Sequence, residues 1–208
     1  MDAGACGIVL AGGAGRRFGS AKQLADLRGR PLVQWALDAA LAAQGLDRVV
    51  LVLGAQADAV RDRIDPGRAE IVDCSEWEEG MAASLRCGIA AAGGAAWYVV
   101  LLGDQPLLGS LAVDAIVSAA RSAPPEVLAV RGRWDGRPGH PVALRADLTP
   151  RLLALRGDAG ARDLLRDVPL LEVDCDGLGD PVDVDDEAAL ARVRARAPLR
   201  SADGPADA

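Results

Sequence analysis

The stretch IVLAGGAGRRFGSAK, residues 8–22, changes from an apolar strand to a glycine-rich loop, and the prediction of the fold starts from this change. A run of apolar residues typical of a strand ends at Leu10 and is followed by the glycine-rich segment 11–15, two arginines and Lys22. Glycines let backbone N–H groups approach a bound anion, and arginine and lysine add charge and donors for phosphate oxygens. This order predicts a phosphate-binding loop after a buried strand. The alternative is an ordinary glycine-rich loop with solvated arginines.

Continuous apolar runs alternate with segments of helical periodicity along the chain. The runs RVVLVL at 48–53 and WYVVLL at 97–102 are apolar without alternation, as in a parallel sheet that helices cover on both faces. Helical spacing of apolar residues occurs in segments 31–45, 81–92 and 113–120. The order predicts an α/β protein, namely a three-layer α/β/α sandwich with a Rossmann-like, mostly parallel sheet.

The second half of the chain predicts one departure from a parallel sheet. Strands at 127–130 and 141–144 flank a turn-rich segment and are expected to form a hairpin with an antiparallel strand. Helices are predicted at 55–64 and 161–166, and Asp158 is a candidate cap for the second of these. The remaining predicted elements are strands at 70–72 and 170–173 and helices at 148–155 and 187–196.

Length and composition narrow the class of protein. The 208 residues contain no internal linker, which predicts a single domain over residues 1–196 and a disordered tail at 197–208. A formal charge of −7 and a pI near 4.8 argue against nucleic acid or a membrane surface as partner. No signal peptide or long apolar segment is recognised, so we expect a cytoplasmic protein. The four cysteines form no CxxC pair and are expected to be reduced, mostly buried thiols.

Acidic residues follow two of the predicted strands, and ligands of open α/β sheets bind at this end. Asp104, in the segment GDQP, is placed to face the phosphate-binding loop and to hold Mg²⁺, which prefers oxygen ligands. The alternative is a turn aspartate that precedes proline. The later segment DPVDVDD offers Asp183 or Asp185 as a second metal ligand, and its last residue, Asp186, is a candidate helix cap.

The glycine loop fits neither of two common nucleotide-binding patterns. No GK[ST] sequence follows the glycines, so the loop is not a P-loop. Phe18 stands where a dinucleotide-binding fingerprint requires its third glycine, and this disfavours a conventional dehydrogenase.

Six segments in the same order resemble the MobA-like nucleotidyltransferases, a family that makes nucleotide-linked cofactors and sugars. They are LAGGAGRRFGSAKQL followed by GRPLV, then EGMAASLRCGI, GDQP, GRPGHPV, GDAGAR and DVDDEAAL. The later segments are similar to those of one branch, the molybdenum cofactor cytidylyltransferases. The resemblance covers residues 8 to about 190 and implies a fold of the nucleotide-diphospho-sugar transferase type.

The resemblance also implies roles for individual positions. Those implied in catalysis are Arg16, Lys22 and Asp104. Those implied in nucleotide binding are Leu10, Ala11, Gly12, Gly13, Gly15, Arg16, Lys22, Gly80 and Ser84. Asp104 and Asp185 would hold Mg²⁺, whereas Gly139 and His140 would face the acceptor. For Ser84 the alternative is packing at a helix N-terminus, and for His140 it is a structural role.

The implied reaction is attack by a terminal phosphate oxygen of the acceptor on the α-phosphorus of an NTP, with release of pyrophosphate. The resemblance favours CTP as the donor and a phosphorylated acceptor such as molybdopterin, with a molybdoenzyme or its chaperone as a possible protein partner. Ala11-Gly12-Gly13 stands where the cytidylyl branch reads AAG, and this form is more typical of guanylyl relatives. Guanylyl transfer to molybdopterin or to a small phospho-acid is therefore one alternative, and a non-catalytic nucleotide or cofactor carrier is another.

Overall fold

The computed structural model describes residues 4–15, 18, 21–158 and 160–196. The strands are β1 (Ala5–Ala11), β2 (Asp26–Leu27), β3 (Arg30–Pro31), β4 (Arg48–Leu53), β5 (Glu70–Asp73), β6 (Trp97–Leu102), β7 (Ala129–Trp134), β8 (Arg137–Arg145) and β9 (Leu170–Asp174). The helices are α1 (Leu32–Ala42), α2 (Ala57–Arg61), α3 (Met81–Ala91), α4 (Ser110–Ser122), α5 (Thr149–Leu153) and α6 (Glu187–Ala195). The predicted tail at 197–208 lies outside the described residues.

Seven of the strands form one sheet in the order β5-β4-β1-β6-β8-β7-β9. The strand that leads into the glycine loop, β1, lies within the sheet and is parallel to both of its neighbours, β4 and β6. The hairpin strand β8 is antiparallel to β6 and β7, whereas β7 and β9 pair in parallel. The predicted α/β class and its mostly parallel sheet with an antiparallel strand are confirmed.

Helices cover both faces of the sheet because alternate side chains of each strand point to opposite sides. Val9 of β1 belongs to a core cluster that includes residues of α1 and α4. Its neighbour Ile8 belongs to the opposite cluster, which includes residues of α3 and α5. A third cluster joins Phe18, just after the glycine loop, to Val184 and to α6. This third cluster brings the acidic segment near the C-terminus to the loop that follows β1.

Two predicted helices differ in the structure. The predicted helix at 55–64 is only α2, and the residue before it, Gln56, has a left-handed backbone with φ of 66°. The predicted helix at 161–166 is wrong, because only the 3₁₀ turn Leu164–Arg166 forms there. Asp158 is therefore not its cap. So short a segment, which follows Gly160 at φ of 53°, contains too few residues to offset helix nucleation.

The expectation of reduced cysteines is wrong for one pair. Cys74, just after β5, and Cys87, on α3, form a disulfide with a Cα–Cα distance of 5.9 Å. The two residues meet because α3 packs against β4 and β5, and the spacing of the cysteines does not reveal this packing. Cys6 and Cys175 are free and buried, as expected, and burial raises the pKa of Cys6 to about 11.

Within the part of the chain that the structure describes, every helix is too short or too polar to cross a membrane.

Candidate active site

A cavity of about 440 Å³ opens at the carboxyl ends of β1 and β6. It is lined by eight of the residues that the sequence suggested for nucleotide binding: Leu10, Ala11, Gly12, Gly13, Gly15, Lys22, Gly80 and Ser84. The two suggested metal ligands, Asp104 and Asp185, border the same cavity. Arg16 lies outside the described residues. We call this space the loop cavity.

The glycine loop is held in place by a buried glutamine that the sequence analysis did not single out. Gln23 Nε2 donates hydrogen bonds to the carbonyl oxygens of Ala11, at 3.1 Å, and of Gly13. The segment just after β4 also contributes, because the backbone N–H of Ala55 donates a hydrogen bond to the Gly12 carbonyl at 3.1 Å. Because these carbonyl oxygens accept hydrogen bonds from the rest of the protein, the loop is held in one conformation beside the cavity.

Close packing against α3 limits what the loop can contain. A Cβ atom at Gly12 would meet Ser84 Oγ, whereas one at Gly13 would have no neighbour within 4 Å. The N-cap of α3 is Gly80, whose φ of 105° favours glycine. A Cβ atom at Gly80 would also lie 2.8 Å from the carbonyl of Gly157. Gly12 and Gly80 thus allow three backbone segments to converge around the cavity.

A charged cluster connects the loop with the two acidic segments. Lys22 Nζ lies 2.6 Å from Asp104 Oδ2 and 2.8 Å from Asp185 Oδ1. The side chains of Lys22, Asp104 and Asp185 are 11%, 29% and 48% exposed, so the ammonium is the least accessible of the three. Burial lowers the pKa of Lys22, but the charges and hydrogen bonds of the two carboxylates outweigh it and raise the pKa above the ordinary value. Lys22 is therefore a permanent cation at neutral pH.

The donor set of this cluster suits Mg²⁺. Asp104 Oδ1 is buried and has no hydrogen-bond partner among the described residues. Across the same residues, no group of three or more His, Cys, Asp or Glu side chains is arranged to hold a metal. Mg²⁺ is commonly held by one or two carboxylates together with substrate phosphates and water, so Asp104 and Asp185 fit it as a substrate-dependent site.

Asp183, the other acid considered as a metal ligand, has a different partner. It accepts a hydrogen bond from Gln105 Nε2 at 2.9 Å. Desolvation raises the pKa of Asp183, and the charges of Asp104 and Asp185 raise it further. Asp185, not Asp183, shares Lys22 with Asp104, and we take it as the better candidate for the second carboxylate.

A larger cavity of about 1450 Å³ lies beside the loop cavity and contains the suggested acceptor residues Gly139 and His140. Asp104 and Asp185 line both cavities, so the charged cluster lies at their junction. Asp158, suggested above as a helix cap, also borders both. We call the larger space the acceptor cavity. Two ligands, one bound in each cavity, would therefore come into contact at the charged cluster.

His140 is expected to remain neutral in this cavity. Desolvation lowers its pKa to about 4, although the charge of Asp104 acts in the opposite direction. His140 is the chain's only histidine, so its imidazole proton resonances in an NMR spectrum need no assignment. A pH titration should show no histidine transition between about pH 5 and 8, where an unperturbed imidazole would titrate. A midpoint near 6.5 would contradict the desolvated, neutral state.

Comparison with known proteins agrees with this geometry. The MobA-like NTP transferase domain matches residues 7–173. Nicotine blue oxidoreductase of Paenarthrobacter nicotinovorans is 39% identical over 86% of this chain and 91% of that protein. Purine catabolism protein PucB of Bacillus subtilis is 30% identical over 89% of this chain and 95% of its own length.

Among solved structures, Rv0371c of Mycobacterium tuberculosis H37Rv superposes with a TM-score of 0.83 at 31% identity, over 93% of this chain and 98% of that one. A second structure of Rv0371c, in complex with manganese, superposes with a TM-score of 0.76 at 29% identity, over 91% and 97% of the two chains. The matched domain includes the glycine loop, Lys22, Asp104 and the hairpin around His140. The chain belongs to the MobA-like NTP transferase family.

Proposed function

We propose that the protein transfers CMP from CTP to the terminal phosphate of an acceptor such as molybdopterin and releases pyrophosphate. The observation that carries this proposal is the position of Lys22 between Asp104 and Asp185, at the junction of two cavities. One cavity is built from a glycine loop suited to a triphosphate, and the other has room for a larger acceptor. The preference for CTP and for molybdopterin rests on the resemblance of the later sequence segments to cytidylyltransferases.

The chemistry requires little beyond positioning and charge. A phosphate monoester is already an anion, so its oxygen can attack the α-phosphorus of the NTP without a strong general base, and neutral His140 is not needed as one. As the bond to pyrophosphate breaks, negative charge grows on the phosphoryl oxygens, and the Lys22 ammonium is a fixed cation beside them. The backbone N–H groups of the glycine loop would bind the departing phosphates.

Asp104 and Asp185 are the residues that would hold Mg²⁺ in this reaction. When bound, the ion would neutralise phosphate charge and help to align the NTP. The manganese complex of Rv0371c supports the proposal, since that relative binds a divalent cation under the conditions of its structure.

One relative favours a second candidate from another class. The protein that is 39% identical to this chain is named nicotine blue oxidoreductase, which suggests reduction or oxidation of that compound. Within this chain, Phe18 at the third glycine of the fingerprint argues against the usual dinucleotide site. The two candidates differ in their product, because only nucleotidyl transfer releases pyrophosphate.

The test is a pyrophosphate-release assay with CTP, GTP, ATP and UTP, each with Mg²⁺ and molybdopterin, alongside a thermal-shift panel of the same nucleotides. We expect CTP to give both the largest increase in melting temperature and the fastest release, because a ligand of the native state raises its stability. Preference for GTP would assign guanylyl transfer. Nucleotide binding without release would favour a carrier, and oxidation of NADH or NADPH with nicotine blue as acceptor, without release of pyrophosphate, would favour the oxidoreductase.

A further inference from the structure

Three polar side-chain atoms among the described residues are buried without a hydrogen-bond partner: Asp104 Oδ1, Gln105 Oε1 and Arg131 Nε. All three residues line the acceptor cavity. A buried polar atom without a partner is destabilising, so such atoms suggest a ligand that completes their interactions: a cation or a donor for the two oxygens, and an anionic group for the Arg131 nitrogen. The two oxygens lie on the segment that follows β6, whereas the Arg131 nitrogen is a donor and lies on β7.

Arg131 occupies an unusual position for a charged residue. It pairs across β8 and β6 with Val142 and then Val100, so its side chain continues an apolar row on the face of the sheet that borders the acceptor cavity. The register of β7 shifts directly after Arg131, and such bulges often redirect a side chain near a functional site.

A neighbouring acid orients this arginine. Arg131 Nη2 donates a hydrogen bond to Glu172 Oε1 at 2.6 Å, and Glu172 is its register partner on β9. The arginine side chain is 24% exposed, about half the value for Arg133 on the same strand. Since a guanidinium has five donors, Glu172 can fix its position and still leave the Nε–H to a ligand.

An apolar surface lies beside Arg131. Val142 and Val100 are in register with it across β8 and β6, and Leu144 and Leu165 line the same cavity. Arg131 is two strands away from β6, and neighbouring strands are about 4.8 Å apart, so the Arg131 backbone lies about 10 Å across the sheet from Val100, and Asp104 lies four residues beyond Val100 along the chain. A short phospho-acid bound at Asp104 would not span this distance.

We propose that the acceptor is an elongated molecule with its reacting phosphate at Asp104 and Lys22, an apolar or flat middle, and a second anionic group that Arg131 binds. The proposal deepens the proposed function and rests on it for the identity of the reacting end. Arg131 is thus a specificity-determining residue, and small phospho-acids are poor acceptors.

Alkyl monophosphates and the matching α,ω-alkane bisphosphates are suitable probes, because their apolar chains can be graded in length. Calorimetry with the protein should show that a bisphosphate whose ends are about 10 Å or more apart binds about tenfold more tightly than the monophosphate, as expected for a charge-assisted hydrogen bond. A bisphosphate with a much shorter spacer should lose this advantage.

In Arg131→Gln, the bisphosphate should bind more tightly than the monophosphate only by the statistical factor that comes from having two equivalent ends. Arg133→Gln is the matched control, since Arg133 is on the same strand, pairs with Asp174 at 3.7 Å, and should leave the advantage unchanged. Circular dichroism melts establish that each variant is folded. If Arg131→Gln does not fold, the dependence on spacer length in the unmodified protein decides the matter.

Equal affinities for monophosphates and bisphosphates at every spacer length would overturn the inference, as would a bisphosphate advantage that persists in folded Arg131→Gln. The proposed function fails separately. An Arg131-dependent advantage without release of pyrophosphate from any NTP would leave the anion site standing and remove nucleotidyl transfer.

Discussion

Replacing Asp104 by alanine should lower turnover about 100- to 1000-fold and leave the protein folded. Its Oδ1 atom is one of two buried side-chain oxygens without a hydrogen-bond partner among the described residues, and its Oδ2 atom lies 2.6 Å from Lys22 Nζ. The variant removes the group that we propose for Mg²⁺ and one of the two anions that position Lys22. The fold should survive because Lys22 keeps Asp185 at 2.8 Å and the Asp104 carbonyl still accepts the Val184 N–H.

The measurement is the rate of pyrophosphate release at saturating CTP and acceptor, together with a thermal melt. Asp58→Ala is the matched control, because Asp58 is 99% exposed, pairs only at the surface with Arg61, and lines neither cavity. It should leave turnover unchanged. A second readout is binding of Mn²⁺ in the presence of CTP, which should weaken in Asp104→Ala. Near-normal turnover in the folded variant would remove Asp104 from the mechanism.

Much of this arrangement could be predicted because it depends on local sequence. The strand 97–102 ends at a glycine and an aspartate, and the carboxyl ends of parallel strands meet at one edge of a sheet. The meeting of Asp104 with the glycine loop therefore followed from apolar runs alone. The hairpin at 127–144 was also foreseeable, since its turn contains Asp135-Gly136, a pair that adopts positive φ readily.

The features that sequence reasoning missed all depend on how side chains meet when the elements pack. Gln23 looked like an ordinary polar residue, and only the structure shows its hydrogen bonds to the loop carbonyls. Arg131 was one arginine among many until the register of β7, β8 and β6 placed it at the end of an apolar row. The disulfide between Cys74 and Cys87 likewise required the packing of α3 against the sheet. Periodicity predicts which face a residue occupies but not which residue lies opposite.

Replacing Lys22 by alanine should be as damaging to turnover as the loss of Asp104, about 100- to 1000-fold, and should also destabilise the fold by about 2 kcal/mol. Lys22 is the only lysine in the chain, and its ammonium lies between Asp104 and Asp185 with Asp183 close by. Without it, Asp104 and Asp185 lose the cation that joins them, and Asp183 lies close to both. The expected loss of unfolding free energy is smaller than for a fully buried ion pair, because the Asp185 side chain is half exposed.

The pH dependence of stability distinguishes this effect from a packing defect. The pKa of Lys22 is raised in the folded state, so its contribution is fully present below the ordinary lysine pKa and is lost as the pH rises through the higher folded value. The difference in unfolding free energy between the unmodified protein and Lys22→Ala should therefore be constant between about pH 6 and 9 and should shrink only in strong alkali.

Lys22→Arg is the control that keeps the charge and changes its shape. It should restore most of the stability, because a guanidinium can pair with both carboxylates, but only part of the turnover, because its planar fork does not place a compact charge between them. If Lys22→Ala and Lys22→Arg had equal turnover, the ammonium would not act on the reacting phosphates. In that case the role of Lys22 would be confined to holding the two acidic segments against the loop.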